Sequence, residues 1–339
     1  MKTTPFCIGS AILPNNVLFA PLAGCSDLPY RKIACRWRPG ITYCEMVKMD
    51  ALVRHDSHTY RMIDYSADLH PIGAQLCGSK PKLARAAARI VEDAGFDILD
   101  FNCGCPVDKV TKDGSGSGML KTPELIGEML SEMTAAVKIP VTVKIRMGWD
   151  AEHINAVDIT RIAEAAGAKA ITIHGRTRAQ GYQGPANWEP IRACKAAAKH
   201  ILVVGNGDVF DAQSAERMLK TTGCDAVLVA RGAMGQPWIT EDILRHLNGE
   251  PPLERGVQII RETLFAHLDE ILRYQPERAA LLDMRRVGCW YLKRLEGARM
   301  LRMQINRSQS TAETLRAIEA FTWQEVGVAR EVALAEAES

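Results

Sequence analysis

The chain has 339 residues, yet none of its apolar runs is long enough to span a bilayer, and its net charge is only +2. No membrane-spanning helix is expected. So small a charge excess does not announce nucleic acid over the whole surface, and any basic face must be local. There is no low-complexity tract, and no repeat beyond an alternation of apolar runs and helical segments. Paired Cys-x₂-Cys units of the usual zinc pattern are also missing: Cys103 and Cys105 form one tight pair, with Cys44 and Cys77 far along the chain. No metal is expected. The apolar stretch near the N-terminus is interrupted by Gly9 and Ser10, with only Lys2 before it. It reads as a short hairpin over 6–8 and 11–13 rather than as a signal peptide.

Apolar residues make up 47% of the chain, sufficient for one large and one small domain. Ten irregularly spaced cysteines in a chain of this length read as reduced thiols, and a cytoplasmic location is expected. Short apolar runs recur at 17–21, 41–44, 72–76, 98–101, 141–145, 170–174, 201–206 and 226–230. Most are continuous, as in parallel strands buried on both faces. Helices are predicted between several of them, over 81–93 behind Pro81, over 151–166, and over 211–222 behind a capping Asp211. Eight strands alternating with helices predict an α/β fold, a (β/α)₈ TIM barrel over 1–247. A doubly wound open sheet is the alternative. Asn248 to Pro252 form a break. The remainder, 248–339, lacks strand signals and predicts a small all-α domain of three or four helices.

Polar residues follow the apolar runs. Pro21-Leu22-Ala23-Gly24 ends the first and Gln75 the third. Asn102-Cys103-Gly104-Cys105-Pro106 follows the fourth, and Lys144 and Arg146 lie at the fifth. His174-Gly175-Arg176-Thr177-Arg178, Asn206-Gly207-Asp208 and Ala230-Arg231-Gly232 end the last three. In a barrel these ends share one face, where sites of this fold lie. Any one of them alone is an ordinary strand end. The seventh and eighth form the usual phosphate corner, where Gly207 and Gly232 would admit an anion to backbone amides and Arg231 could add charge. Lys144 inside an apolar strand needs a partner or a task. Gln75 and Asn102 can recognise a flavin or pyrimidine edge. Cys105, on a glycine-rich loop over 102–122, is either a proton donor or a small buried residue.

Taken together, in order and spacing, these motifs resemble the tRNA-dihydrouridine synthases, and among bacterial subtypes are most similar to the B-type. The resemblance implies FMN held by Pro21, Leu22, Ala23, Gln75, Lys144, His174, Asn206, Gly207, Asp208, Ala230 and Arg231. It implies Cys105 as the proton donor, Asn102 as a contact to flavin and uracil, and NADPH or NADH as reductant. Leu22 stands where the family commonly has Met. Ala230 stands where related members often have Gly, and its methyl would crowd a phosphate. Cys103 has no role in the resemblance. The implied reaction reduces a flipped uridine of the tRNA D-loop to dihydrouridine, with position 17 the target suggested by subtype alone.

The tail is basic, with Arg285, Arg286, Lys293, Arg294, Arg299, Arg302 and Arg307 interrupted only by Glu296. A helix over 281–295 would gather Leu281, Met284, Gly288, Tyr291, Leu292 and Leu295 on one stripe, with Arg285, Arg286 and Lys293 beside it. That face suits phosphates of tRNA, and Arg146, Arg176 and Arg178 at the barrel mouth would extend the path. A charge run of this kind is otherwise a solvated helix face. A monomer is expected. Two other readings stay open: a flavin barrel acting on a free pyrimidine, like dihydroorotate dehydrogenase, and a non-catalytic RNA-binding protein on the same fold.

Overall fold

The computed structural model describes residues 5–323 and 327–328, so the end of the segment expected to be helical over 248–339 lies outside the described residues. A hairpin, β1 (Phe6–Ile8) and β2 (Ala11–Leu13), precedes eight parallel strands. These are β3 (Val17–Phe19), β4 (Thr42–Lys48), β5 (Ile72–Cys77), β6 (Ile98–Cys103), β7 (Val141–Arg146), β8 (Ala170–His174), β9 (Leu202–Asn206) and β10 (Ala226–Val229). From β4 to β10 each strand pairs with its sequence neighbour, and β10 pairs with β3. The last seam is closed by Phe19 N–H donating to Ile41 O (3.0 Å) and Gly40 N–H to Val17 O (2.7 Å). The sheet is therefore a closed (β/α)₈ barrel, and the open-sheet alternative falls.

The strand runs are apolar because both faces are covered, but the inward face changes along the barrel axis. At the strand starts it is apolar. Ile98, Ala170, Val204, Ala226 and Tyr43 form one core cluster with Ile8, Ala11 and Leu13, so the hairpin plugs that end. At the strand ends the inward positions are Asp100 and Asn102, Thr142 and Lys144, Thr172 and His174. A period of two carries these polar side chains to one mouth.

The helix Pro81–Asp93 begins at its proline. The helix Ala212–Thr222 begins behind a capping box in which Asp211 accepts from Ser214 N–H and the Ser214 hydroxyl accepts from Asp211 N–H. The helix expected over 151–166 starts later, as Ala156–Ala165. Asp150 Oδ1 accepts from the amides of Glu152 and His153, and Ile154 forms a bridge with Gly148, which turns 150–155 into a loop.

The chain divides into two compact units. The first holds the barrel up to Gly232 together with Ile239–Glu250. The second holds Ala233–Trp238 and the residues from Pro251 onward. The sequence suggests a single break near 247, whereas the short piece Ala233–Trp238 belongs to the second unit. Gly235 adopts φ +71 with its backbone against Trp290, so close that an added Cβ would lie 2.4 Å from Trp290 O. Such a contact leaves no room for a side chain, and nothing in the sequence signals it. The second unit contains the helices Val257–Tyr274, Glu277–Leu292, Arg299–Arg307 and Thr311–Glu319.

Candidate active site at the barrel mouth

Lys144 lies on β7 in register with Asn102 on β6 and Thr172 on β8. It is half-buried and makes no hydrogen bond or ion pair with another described residue. Burial pushes its ammonium down to about 8, and Arg146 adds to the shift. Such a group is stabilised by an incoming acceptor or anion. His174 is buried, and burial with Lys144, Arg146, Arg176 and Arg231 holds its imidazole well below its ordinary value. The ring is therefore neutral. Arg176 Nη1, which can only donate, lies 3.4 Å from His174 Nε2, so that nitrogen accepts and Nδ1 carries the proton.

Asn102 and Gln75 are joined. Asn102 Nδ2 donates to Gln75 Oε1 at 2.7 Å, and Gln75 Nε2 donates to Asp100 at 2.6 Å. Asn102 Oδ1 accepts from the amides of Gly104 (3.1 Å) and Cys105 (2.9 Å), fixing the turn that leaves β6. Cys105 is half-buried on that turn, and its carbonyl accepts from the amide and hydroxyl of Ser117. The region 102–122 is not a bare loop: it carries the short helix Asp108–Thr111 and the 3-10 segment Gly116–Lys121. Gly116 needs its left-handed φ of +58, and a Cβ there would lie 2.9 Å from Cys105 O. Cys103 is fully buried, with Sγ 3.8 Å from Met119 Sδ. Among the described residues no three His, Cys, Asp or Glu side chains converge on a common point.

At the corner of β9 and β10, Gly207 has φ +119 and Asp208 φ +55. The Asp208 carboxylate accepts from Arg176 Nη2 (2.8 Å) and Ala186 N–H (2.7 Å), and Arg231 lies 3.6 Å away. The carboxylate is thus committed to arginines, and an anion can meet only the backbone of Asp208. Arg231 is partly exposed and stacks over Tyr182, 4.6 Å from its centroid. Asn206 Nδ2 donates to Leu228 O, so this amide braces the neighbouring strand. Pro21, Leu22 and Ala230 are partly exposed and Ala23 exposed, at the ends of β3 and β10. Gly24 N–H donates to Glu45 on β4, a tie the sequence does not signal.

The arginines expected on an RNA path divide. Arg146 is 2% exposed and donates to the carbonyls of Gly104, Thr177 and Gly181. Arg176 is 3% exposed and donates to Gly184 O and Asp208. Neither lies on an outer face, so they clamp the mouth loops and meet only what enters the mouth. Arg178 pairs with Asp108 on the Cys105 segment and lies 4.7 Å above Trp149. In the helical unit Arg285 donates to Ser308 O, and Arg286 pairs with Asp283 at 2.8 Å. Lys293 is exposed. Of that trio only Lys293 is wholly turned to solvent. Sequence reading also missed Asp100, Thr142 and Tyr182. The first two were legible as the inward positions of their strands, two residues from Asn102 and Lys144.

Residues 18–325 match the family model of dihydrouridine synthase (Dus). A protein from Pseudomonas aeruginosa named tRNA-dihydrouridine synthase B is 39% identical over 307 residues, covering 90% of this chain and 92% of its own. Proteins of the same name from Pectobacterium carotovorum and Vibrio cholerae are 36% and 33% identical, each covering 93% of this chain and 98% of their own. Among solved structures, a histamine dehydrogenase from Rhizobium sp. 4-9 superposes with a TM-score of 0.54 at 14% identity. That match covers 78% of this chain and half of the other, and it speaks for the barrel alone. With the barrel, its polar mouth and these similarities in hand, the chain belongs to the dihydrouridine synthase family.

Proposed function

We propose that this chain reduces a uridine of tRNA to 5,6-dihydrouridine, with FMN bound in the barrel mouth, NADPH or NADH as reductant, and Cys105 as the acid. Family membership supports the reaction. The observation that carries the reading to these residues is the half-buried ammonium of Lys144, without a partner among the described residues. It lies beside a neutral imidazole, on the strand next to the one that ends in the thiol-bearing turn. An ammonium pushed down to about 8 fits a flavin ring, whose N1–C2=O edge accepts hydrogen bonds and gains negative charge on reduction. The amides and Arg231 at the β9–β10 corner suit its phosphate.

FMN held by these residues would, once reduced, be the source of the hydride for uracil C6. Cys105 supplies the proton to C5: its S–H bond breaks, a C–H bond forms, and the thiolate recovers a proton from water. Asn102 holds the turn that aims the thiol and keeps one amide hydrogen for a ring edge. Arg146 and Arg176 tie the loops that frame the entering base. A uridine in folded RNA must leave its stack to enter such a mouth. Lys293 and the exposed Arg299 and Arg307 suit the phosphates of the same RNA. A cytoplasmic, monomeric enzyme is the form we propose, with position 17 as its target.

The test uses purified enzyme loaded with FMN and reduced by NADPH under anaerobic conditions. Unmodified tRNA should reoxidise it and acquire dihydrouridine, while free uracil and uridine should not. Reoxidation by the free pyrimidine alone would move the chain to the small-substrate reading. A colourless protein that binds tRNA but takes up no flavin would favour the non-catalytic one.

A further inference from the structure

The carboxylate of Asp100 is buried one layer below the mouth, between register partners Gln75 on β5 and Thr142 on β7. Its two oxygens accept from Gln75 Nε2 (2.6 Å) and the Thr142 hydroxyl (2.6 Å). Burial raises the pKa of Asp100, while the bonds from Thr142 and Gln75 and the charge of Lys144 act in favour of the carboxylate. A carboxylate can only accept, whereas every side chain between it and Cys105 can both donate and accept. Each link is then forced. Gln75 must turn its nitrogen to Asp100, which leaves Oε1 toward Asn102. Asn102 must answer with Nδ2, which leaves Oδ1 toward the turn. That oxygen accepts from the amides of Gly104 and Cys105.

We infer that Asp100 is a positioning residue that anchors the acceptor end of this hydrogen-bond chain, whose donor end is the amides of Gly104 and Cys105, and so helps to hold the backbone of Cys105 in place. Nothing in the proposed chemistry touches Asp100, and it acts through Gln75 and Asn102. Reversal anywhere along the chain would turn Asn102 Nδ2 against the Cys105 amide, donor against donor, and release the turn. Burial is what makes the direction matter, because Gln75 and Asn102 are 1% and 8% exposed and water cannot repair a mismatch.

Asp100→Asn keeps shape and volume but removes the charged, acceptor-only head, so that end no longer resists reversal and only the amides of Gly104 and Cys105 hold the direction. Asp100→Asn combined with Gln75→Glu moves the carboxylate one link along. The carboxylate introduced on β5 then accepts both from the amide introduced on β6 and from Asn102, and the direction beyond it is restored. Thr142→Val removes one bond to Asp100 without changing direction. Backbone hydrogen exchange at Gly104 and Cys105, read in the full chain, follows the turn without reference to activity. Asp100→Asn should speed exchange there by about tenfold. The double variant should return it toward wild type, and Thr142→Val should leave it unchanged. The turnover arm rests on the proposed function: Asp100→Asn should lower kcat per bound flavin with unchanged KM for tRNA, whereas the double variant alters Gln75, expected against the flavin, and is read by exchange alone. Wild-type exchange in Asp100→Asn, or a double variant no better than the single, would overturn the inference. Should the single variant not fold, a folded double variant with wild-type exchange supports it, and a double variant that also fails overturns it. Exchange that behaves as expected without any tRNA turnover would count against the proposed reaction and leave the positioning role standing.

Discussion

Arg176 Nη2 donates to Asp208 Oδ2 at 2.8 Å, joining the loop after β8 to the loop after β9 with an arginine side chain only 4% exposed. The pair holds two walls of the mouth together, and the same carboxylate carries Arg231 on its other oxygen. Asp208→Asn keeps a residue type that tolerates a positive φ but leaves the buried Arg176 guanidinium without its counter-charge. A loss of about 3 kcal/mol is expected, read as the shift of the urea midpoint. An unchanged midpoint would show that the pair contributes little.

Gly232 lies so close to the loop after β9 that an added Cβ would be 2.2 Å from Val209 O. Gly232→Ala must displace that carbonyl, and with it the corner proposed for the flavin phosphate. The variant should fold and purify with little flavin, judged by absorbance in the visible region. Normal flavin content would remove phosphate binding from this corner.

Cys105→Ala should keep flavin and its reduction by NADPH while losing about 10²-fold or more of tRNA turnover, as expected for removal of a general acid. Single-turnover oxidation of the reduced enzyme by tRNA isolates the step. Full turnover in that variant would remove Cys105 from the chemistry.

The ammonium of Lys144 falls from 10.5 to about 8 in the fold. Between those values the unfolded chain binds the extra proton, so this residue's contribution makes stability rise with pH from about 8 to 10.5. Below about 8 the cost of the buried charge is fully present. Arg146, held at about 10, adds the same sign only at the top of the window. The difference in unfolding free energy between wild type and Lys144→Met, measured without added flavin, should therefore become more favourable to wild type across that range. A flat difference would show that Lys144 is not perturbed.

Lys293→Glu reverses an exposed charge on the helical unit. It should raise the KM for tRNA several-fold at low salt, with the gap closing as salt is added, and leave NADPH oxidation unchanged. An equal effect at all salt concentrations would point to misfolding.

Local chemistry alone decided much of this protein. Eight apolar runs, Pro81 and Asp211 at helix starts, and polar residues at the run ends are all short-range signals, and they carried both the barrel and the identity of its mouth. Lys144, Asn102 and His174 were legible because a polar residue inside a strand buried on both faces stands out from its neighbours. What the tertiary structure decided is which partner each side chain meets. Arg146 and Arg285 look alike in sequence, yet one clamps three carbonyls beneath the mouth and the other bonds Ser308 O on a different unit. Gly235 turns against Trp290, far along the chain. The direction of the chain from Asp100 to Cys105 depends on three strands aligned in register. Hydrogen-bond direction and burial belong to sets of residues brought together by folding, and neither is a property of any one position in the sequence.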